Sequence, residues 1–176
     1  MDNHQIARLV SSLPEMNRLY KGCFYNKSIP RDQPYQKDYF FIVNTIQDIR
    51  KMGHWVLFFI RNFHLYFFDS FAMTPSIYGG DISNFFNSYH GYKTIVFKTP
   101  IQNDFSYVCG TYTIILAYFM TMDNSIPFIK SMFTRNTCKN DNFVVAKLYS
   151  LTGFTTTRDQ LSSHCYHVKC KKFCEC

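Results

Sequence analysis

Four residues of this chain, His54, Asp69, Gln102 and Cys109, have the types that nucleophilic acyl transfer requires. In such chemistry a thiolate attacks a carbonyl carbon, an imidazole moves the proton, a carboxylate orients the imidazole, and amide donors hold the oxyanion. Cys109 precedes Gly110 and an apolar run over residues 111–120. If that run is a buried helix, Cys109 occupies its first turn, where unpaired N–H groups and the positive end of the helix dipole favour a thiolate. Gln102, seven residues upstream, carries a carboxamide able to donate to an oxyanion, and the Cys109 backbone N–H is the second candidate donor. His54 stands in Gly53-His54-Trp55, and fifteen residues on comes Phe68-Asp69-Ser70. The chemistry this set implies is that of a cysteine peptidase.

The elements that must position these groups follow from the pattern around them. Two aromatic-rich runs, 55–60 and 63–68, flank Arg61-Asn62, the pattern of a β-hairpin with a two-residue turn. In that register His54 and Asp69 are the outer ends, each seven residues from the turn, and antiparallel pairing sets them side by side. An ordinary polar pair at a strand end is the plainer alternative for these two residues taken alone. The 110–122 run contains Thr111, Thr113, Ile114 and Ile115, whose propensity is for strand. Its length and all-round apolar character favour a buried helix, which is the expectation.

Elsewhere, Ile6, Leu9, Val10 and Leu13 predict a short helix behind an Asn3 cap, closed by Pro14. Gly22, Asn26, Pro30 and Pro34 predict an irregular loop over 20–34. Residues 39–43 read as a strand or the end of a buried helix, 75–80 as a turn, 81–89 as a short helix and 94–97 as a strand. Residues 126–152 read as two helical pieces. The fold class expected is α+β: a small antiparallel-to-mixed central sheet containing the hairpin, the cysteine-bearing helix packed on it, and other helices on the opposite side.

The 176 residues suffice for one domain with a substantial core that needs no disulfides. Aromatics make up 19% and charged residues only 18%, which excludes disorder over most of the chain. The apolar runs are too short to span a bilayer, and the start of the chain lacks the pattern of a secretory signal. An unsecreted protein with reduced thiols and no membrane partner is therefore expected. The net charge of +7 lies in the flanks: residues 1–60 carry 8 basic and 5 acidic side chains, 61–120 carry 3 and 3, and 121–176 carry 8 and 4. Basic flanks suit an anionic partner such as DNA, or are simply a solvated surface.

Taken together, Ile42-Val43-Asn44-Thr45, Gly53-His54-Trp55, Asp69, and Gln102 with Ser106 ahead of Cys109-Gly110 resemble the adenovirus-type cysteine endopeptidases (adenains), relatives of the ubiquitin-like-protein peptidases. The resemblance also takes in the 22–30 segment and Leu148-Tyr149-Ser150, so it runs in one order to about residue 150. The seven-residue gap from Gln102 to Cys109 and the Val108 before the cysteine look like adenain rather than its relatives. The resemblance implies His54 as base, Asp69 as its orienting acid, and Gln102 with the Cys109 N–H as oxyanion hole. It implies no cofactor for the chemistry and cleavage of viral capsid and core precursors next to glycine, in host nucleus or cytoplasm and in the virion. It also implies activation by DNA or by a peptide. No cysteine occurs between residues 91 and 101, where the family tethers its activating peptide by a disulfide. Aspartate also stands where the adenovirus enzymes often have glutamate. The alternatives are a ubiquitin-like-modifier peptidase and, from another class, a noncatalytic nucleic-acid-binding or virion structural protein.

The basic tail over 160–176 holds Cys165, Cys170, Cys174, Cys176, His164 and His167. Their spacing does not match paired zinc ligands, and no metal is expected. Gly79-Gly80 resembles sites that adenain-like enzymes cut but reads first as a turn. Cys23 and Cys138 belong to no motif, and His64 and His90 read as strand or surface residues.

Overall fold

Strands β2 (Tyr39–Asn44) and β3 (Trp55–Arg61) are buried along nearly their whole length. Their unbroken apolar runs conceal an alternation, because successive side chains point to opposite faces and both faces are covered. Phe40, Ile42, Trp55, Leu57 and Phe59 enter one core, while Tyr39, Phe41, Val43, Val56, Phe58 and Ile60 enter the other. The computed structural model describes residues 1–29, 37–46 and 53–155.

Five strands form one mixed sheet, β1 (Tyr20–Tyr25), β2, β3, β4 (His64–Phe68) and β5 (Lys93–Val96), in that spatial order. The central β3 is antiparallel to both its neighbours, and each edge strand runs parallel to its neighbour. A parallel neighbour needs a long crossover. Between β4 and β5 it is made by two helices, Pro75–Tyr78 and Gly80–Ser88. In chain order the helices are α1 (Asn3–Ser11), α2 (Pro14–Asn17), α3 (Pro75–Tyr78), α4 (Gly80–Ser88), α5 (Cys109–Thr121), α6 (Ile126–Ser131) and α7 (Thr137–Thr152). Helix α5 lies in the first core with residues of α1, α2, α6 and α7, and α4 closes the second core with Ile82 and Phe85. The fold is α+β with a five-stranded mixed sheet.

Helix α5 overrides its strand-like composition because it is surrounded: eleven of its thirteen residues are buried. Thr113 and Thr121 reconcile their hydroxyls with that setting by donating to the carbonyls of Gly110 and Ala117, 2.8 Å each.

Four local expectations are corrected. The cap of α1 is Asp2, not Asn3, because Asp2 and Gln5 form a reciprocal capping box. Pro14 does not merely end α1: it opens α2 as its first residue, where a missing N–H costs nothing. Residues 20–25, expected as loop, are strand β1, and Gly22 (φ 135°) marks its irregular register against β2 rather than a turn. The 75–80 stretch is the single turn α3 leading into α4. Pro30, Pro34 and the 160–176 tail lie outside the described residues.

The hairpin turn is also displaced by one residue. Arg61 is paired with His64, and the turn is Asn62-Phe63, both at positive φ (48° and 57°), as a two-residue turn of matching twist requires. Arg61 stays in the strand because its guanidinium bonds Asp38 Oδ2 (2.9 Å) and the Met120 carbonyl at the end of α5 (2.6 Å). His54 and Asp69 are therefore not equidistant from the turn.

Candidate active site

Extending the β3–β4 register past its last recorded pair, Leu57 with Phe68, places His54 two residues out of step with Asp69. A shift of two keeps both side chains on one face of the sheet, as diagonal neighbours. Their side chains close the gap, with His54 Nε2 at 2.8 Å from Asp69 Oδ1. The histidine backbone is held independently by Thr45, whose N–H donates to the His54 carbonyl (2.8 Å) and whose hydroxyl accepts from the His54 N–H (3.2 Å). Gly53 precedes it because a Cβ there would stand 1.8 Å from Asn44 Oδ1.

Asp69 is 2% exposed, and a buried carboxylate needs donors. It has the imidazole, the Phe71 N–H (2.8 Å) and the Tyr78 hydroxyl, which donates to Oδ2. Tyr78 and Phe71 also flank the histidine ring, with centroids 6.2 and 4.8 Å away. Tyr78 is placed in turn by the buried Asn26, whose Nδ2 donates to the Tyr78 carbonyl (3.0 Å) while its Oδ1 accepts from Ile82 N–H (2.9 Å). Gly79-Gly80 therefore sits at a braced α3–α4 junction, with the bond after Gly80 inside the first turn of α4 rather than in an extended segment.

Cys109 is the first residue of α5 and is 9% exposed. Gly110 allows this helix end to approach β3 and α1: a Cβ there would lie 3.3 Å from Trp55 Cδ1 and 3.4 Å from Ile6 Cδ1. With Nε2 committed to Asp69, Nδ1 is the imidazole nitrogen left for Cys109. Burial of the ring opposes its positive charge. Hydrogen bonds to Asp69 and Cys109, with the attraction of their negative charges, outweigh that cost and push the imidazole pKa up to about 9.

Gln102 is 1% exposed and oriented at both ends of its amide. Its Oε1 accepts from the Ser70 hydroxyl (2.6 Å), and its Nε2 donates to the Ser106 carbonyl (2.9 Å). A carboxamide has two N–H donors, so one remains beyond the Ser106 bond. The Ile101 and Gln102 N–H groups both donate to the Ser70 carbonyl (2.9 and 3.1 Å), which ties this loop to the residue after Asp69. His54, Gln102 and Cys109 open on one cleft of about 750 Å³, also lined by Trp55, Phe71 and Tyr107.

All four sequence-predicted residues thus lie at or directly behind one cleft. Ser70, Tyr78 and Asn26 escaped the sequence reading. Ser70 carried a signal, as a polar residue beside Asp69 at the end of an aromatic strand; Tyr78 and Asn26 carried none, being parts of segments read as turn and loop. Among the described residues no group of His, Cys, Asp and Glu could hold a metal ion, and no helix is long and apolar enough to cross a membrane. His64 lies in β4 and His90 is exposed. Cys23 and Cys138 are of intermediate exposure, and Cys138 Sγ accepts from Asn103 Nδ2 (3.4 Å). No protein-family model matches the chain, and no curated protein matches its sequence.

Proposed function

We propose that the chain is a cysteine endopeptidase that cleaves polypeptides through an acyl-enzyme on Cys109. The observation that carries this reading is the His54–Asp69 bond of 2.8 Å on an imidazole that lines the same cleft as Cys109, beside a Gln102 amide fixed at both ends. The Cys109 sulfur attacks the substrate carbonyl, and the oxyanion is met by the Cys109 N–H and the remaining N–H of Gln102. Protonated His54 gives its proton to the leaving amine, then takes one from the water that releases the acid.

By its resemblance to adenain, the substrates are viral capsid and core precursors cut next to glycine, with DNA acting as an activator through the basic flanks. Digestion of a peptide library by wild type and Cys109→Ala, with and without DNA, tests the whole reading. Cleavage by wild type alone, enriched beside glycine, supports it. Equal patterns from both proteins overturn it, and exclusive cleavage of Gly-Gly-linked ubiquitin-like modifiers replaces it with the modifier-peptidase alternative.

A further inference from the structure

Helix α7 puts two polar residues, Asn140 and Asp141, on its buried face in line with Val144 and Leu148. They are 1% and 0% exposed. Buried polar groups need partners, and these two find theirs in the loop that carries Gln102. Asn140 Nδ2 donates to the carbonyls of Ile101 (3.0 Å) and Thr134 (2.9 Å). Asp141 Oδ1 accepts from the Asn103 N–H (3.3 Å) and lies 2.8 Å from the Tyr112 hydroxyl of α5. That hydroxyl is also 2.8 Å from the Ile101 carbonyl. The residues on either side of Gln102 are thus tied to α7 through their backbones.

A tyrosine hydroxyl has one hydrogen. If Asp141 is ionised, its Oδ1 and the Ile101 carbonyl compete for it. If Asp141 is a carboxylic acid, Oδ1–H donates to the Tyr112 oxygen and Tyr112 donates to Ile101, so both contacts are satisfied. The rest of the surroundings agree. Oδ2 has no hydrogen-bond partner, and the Ser106 hydroxyl donates to the Asn103 carbonyl (3.0 Å). Among the described residues no lysine, arginine or histidine forms an ion pair with Asp141. Burial pushes its carboxyl up to about 6, against the opposing pull of Ser106, Tyr112 and the Asn103 N–H.

We propose that Asp141 is a positioning residue for the Gln102 loop and holds it as an uncharged acid, through a relay from Asp141 to Tyr112 to the Ile101 carbonyl. Ionisation releases the proton to solvent and turns the Tyr112 hydrogen towards Asp141. The Ile101 carbonyl is then left with Asn140 Nδ2 alone. The catalytic consequence rests on the proposed peptidase function; the protonation of Asp141 does not.

Wild type, Asp141→Asn and Asp141→Ala separate the two. The asparagine keeps a donor towards Tyr112, gives up the long bond from Asn103 and does not ionise. An acid whose folded pKa is raised stabilises fully below its unfolded value and loses that contribution as pH rises through the folded one. The Tm of wild type minus that of Asp141→Asn should therefore fall by roughly 5 °C between about pH 4 and pH 7.5. A constant difference overturns the proposal. In peptide hydrolysis the kcat of Asp141→Asn relative to wild type should rise roughly two- to tenfold from about pH 5 to pH 7.5 with KM unchanged, and Asp141→Ala should be slow at both. A flat ratio, or Asp141→Asn as slow as Asp141→Ala throughout, overturns the positioning role. If wild type cleaves nothing, the peptidase reading fails while the Tm comparison still decides the protonation of Asp141.

Discussion

His54 and Asp69 are hydrogen-bonded at 2.8 Å although the hairpin that carries them sets them two residues out of step. The diagonal works because the parity of a strand is preserved, and because Phe71 N–H and Tyr78 hold the carboxylate at the angle the ring needs. The acid is thus aimed by the segment after the strand, not by the strand pairing itself.

That bond has a pH signature. The folded imidazole pKa, near 9, lies above the ordinary value of 6.5, so its stabilisation is complete below 6.5 and is lost as pH rises through 9. Asp69→Asn removes one of the groups that hold the charge. Its Tm deficit against wild type should shrink from about pH 6 to pH 9.5, and the alkaline fall in kcat should move to lower pH. A deficit that stays constant over this range contradicts the assignment.

Cys109 should react with iodoacetamide faster than Cys23, whose thiol is pushed up to about 12 by burial and by the Asp2 charge, despite an opposing hydrogen bond from Tyr20. Mass-resolved labelling at about pH 7 measures this. Equal rates at the two sites remove the activated nucleophile.

Gln102→Ala should lower kcat by about 10²–10³ with little change in KM, the cost of losing one oxyanion donor. Ser70→Ala removes only the 2.6 Å brace on its Oε1 and should cost on the order of tenfold. Steady-state kinetics on one cleaved peptide decide both. A Ser70→Ala loss as large as that of Gln102→Ala would mean Ser70 acts in its own right.

Gly53→Ala should destabilise the fold by about 1–3 kcal/mol, because its Cβ would overlap the Asn44 amide oxygen at 1.8 Å. Adding Asn44→Gly removes the nearest atoms, leaving Ile46 Cγ1 at 2.8 Å, and should recover part of the loss, short of the bond Asn44 Oδ1 accepts from the Ile46 N–H (3.0 Å). Thermal melts of the two variants measure it. No recovery in the double variant places the strain elsewhere.

Much of the scaffold was legible in local pattern. The aromatic runs about Arg61-Asn62 announced a hairpin, and a long, mostly apolar run without a charged residue announced a buried helix despite its β-branching. In α7 the spacing of Val144 and Leu148, carried back one turn, reaches Asn140 and Asp141, so their burial was readable even though their purpose was not. Residues 20–25 were misread because Gly22 has the same appearance in a turn and in an irregular strand.

By itself the sequence determined which groups are available for chemistry and in what order they come: an imidazole and a carboxylate at the ends of a hairpin, then a carboxamide and a thiol ahead of a helix. These are short-range properties, carried by residue type and spacing. Only the tertiary structure decided what surrounds them. Tyr78 reaches Asp69, Ser70 reaches Gln102 and Asp141 reaches Tyr112 across 9, 32 and 29 positions of chain. Contacts at such separations arise because packing brings polar atoms together out of water, where each must find a partner, and no periodicity in the chain records which partner that will be.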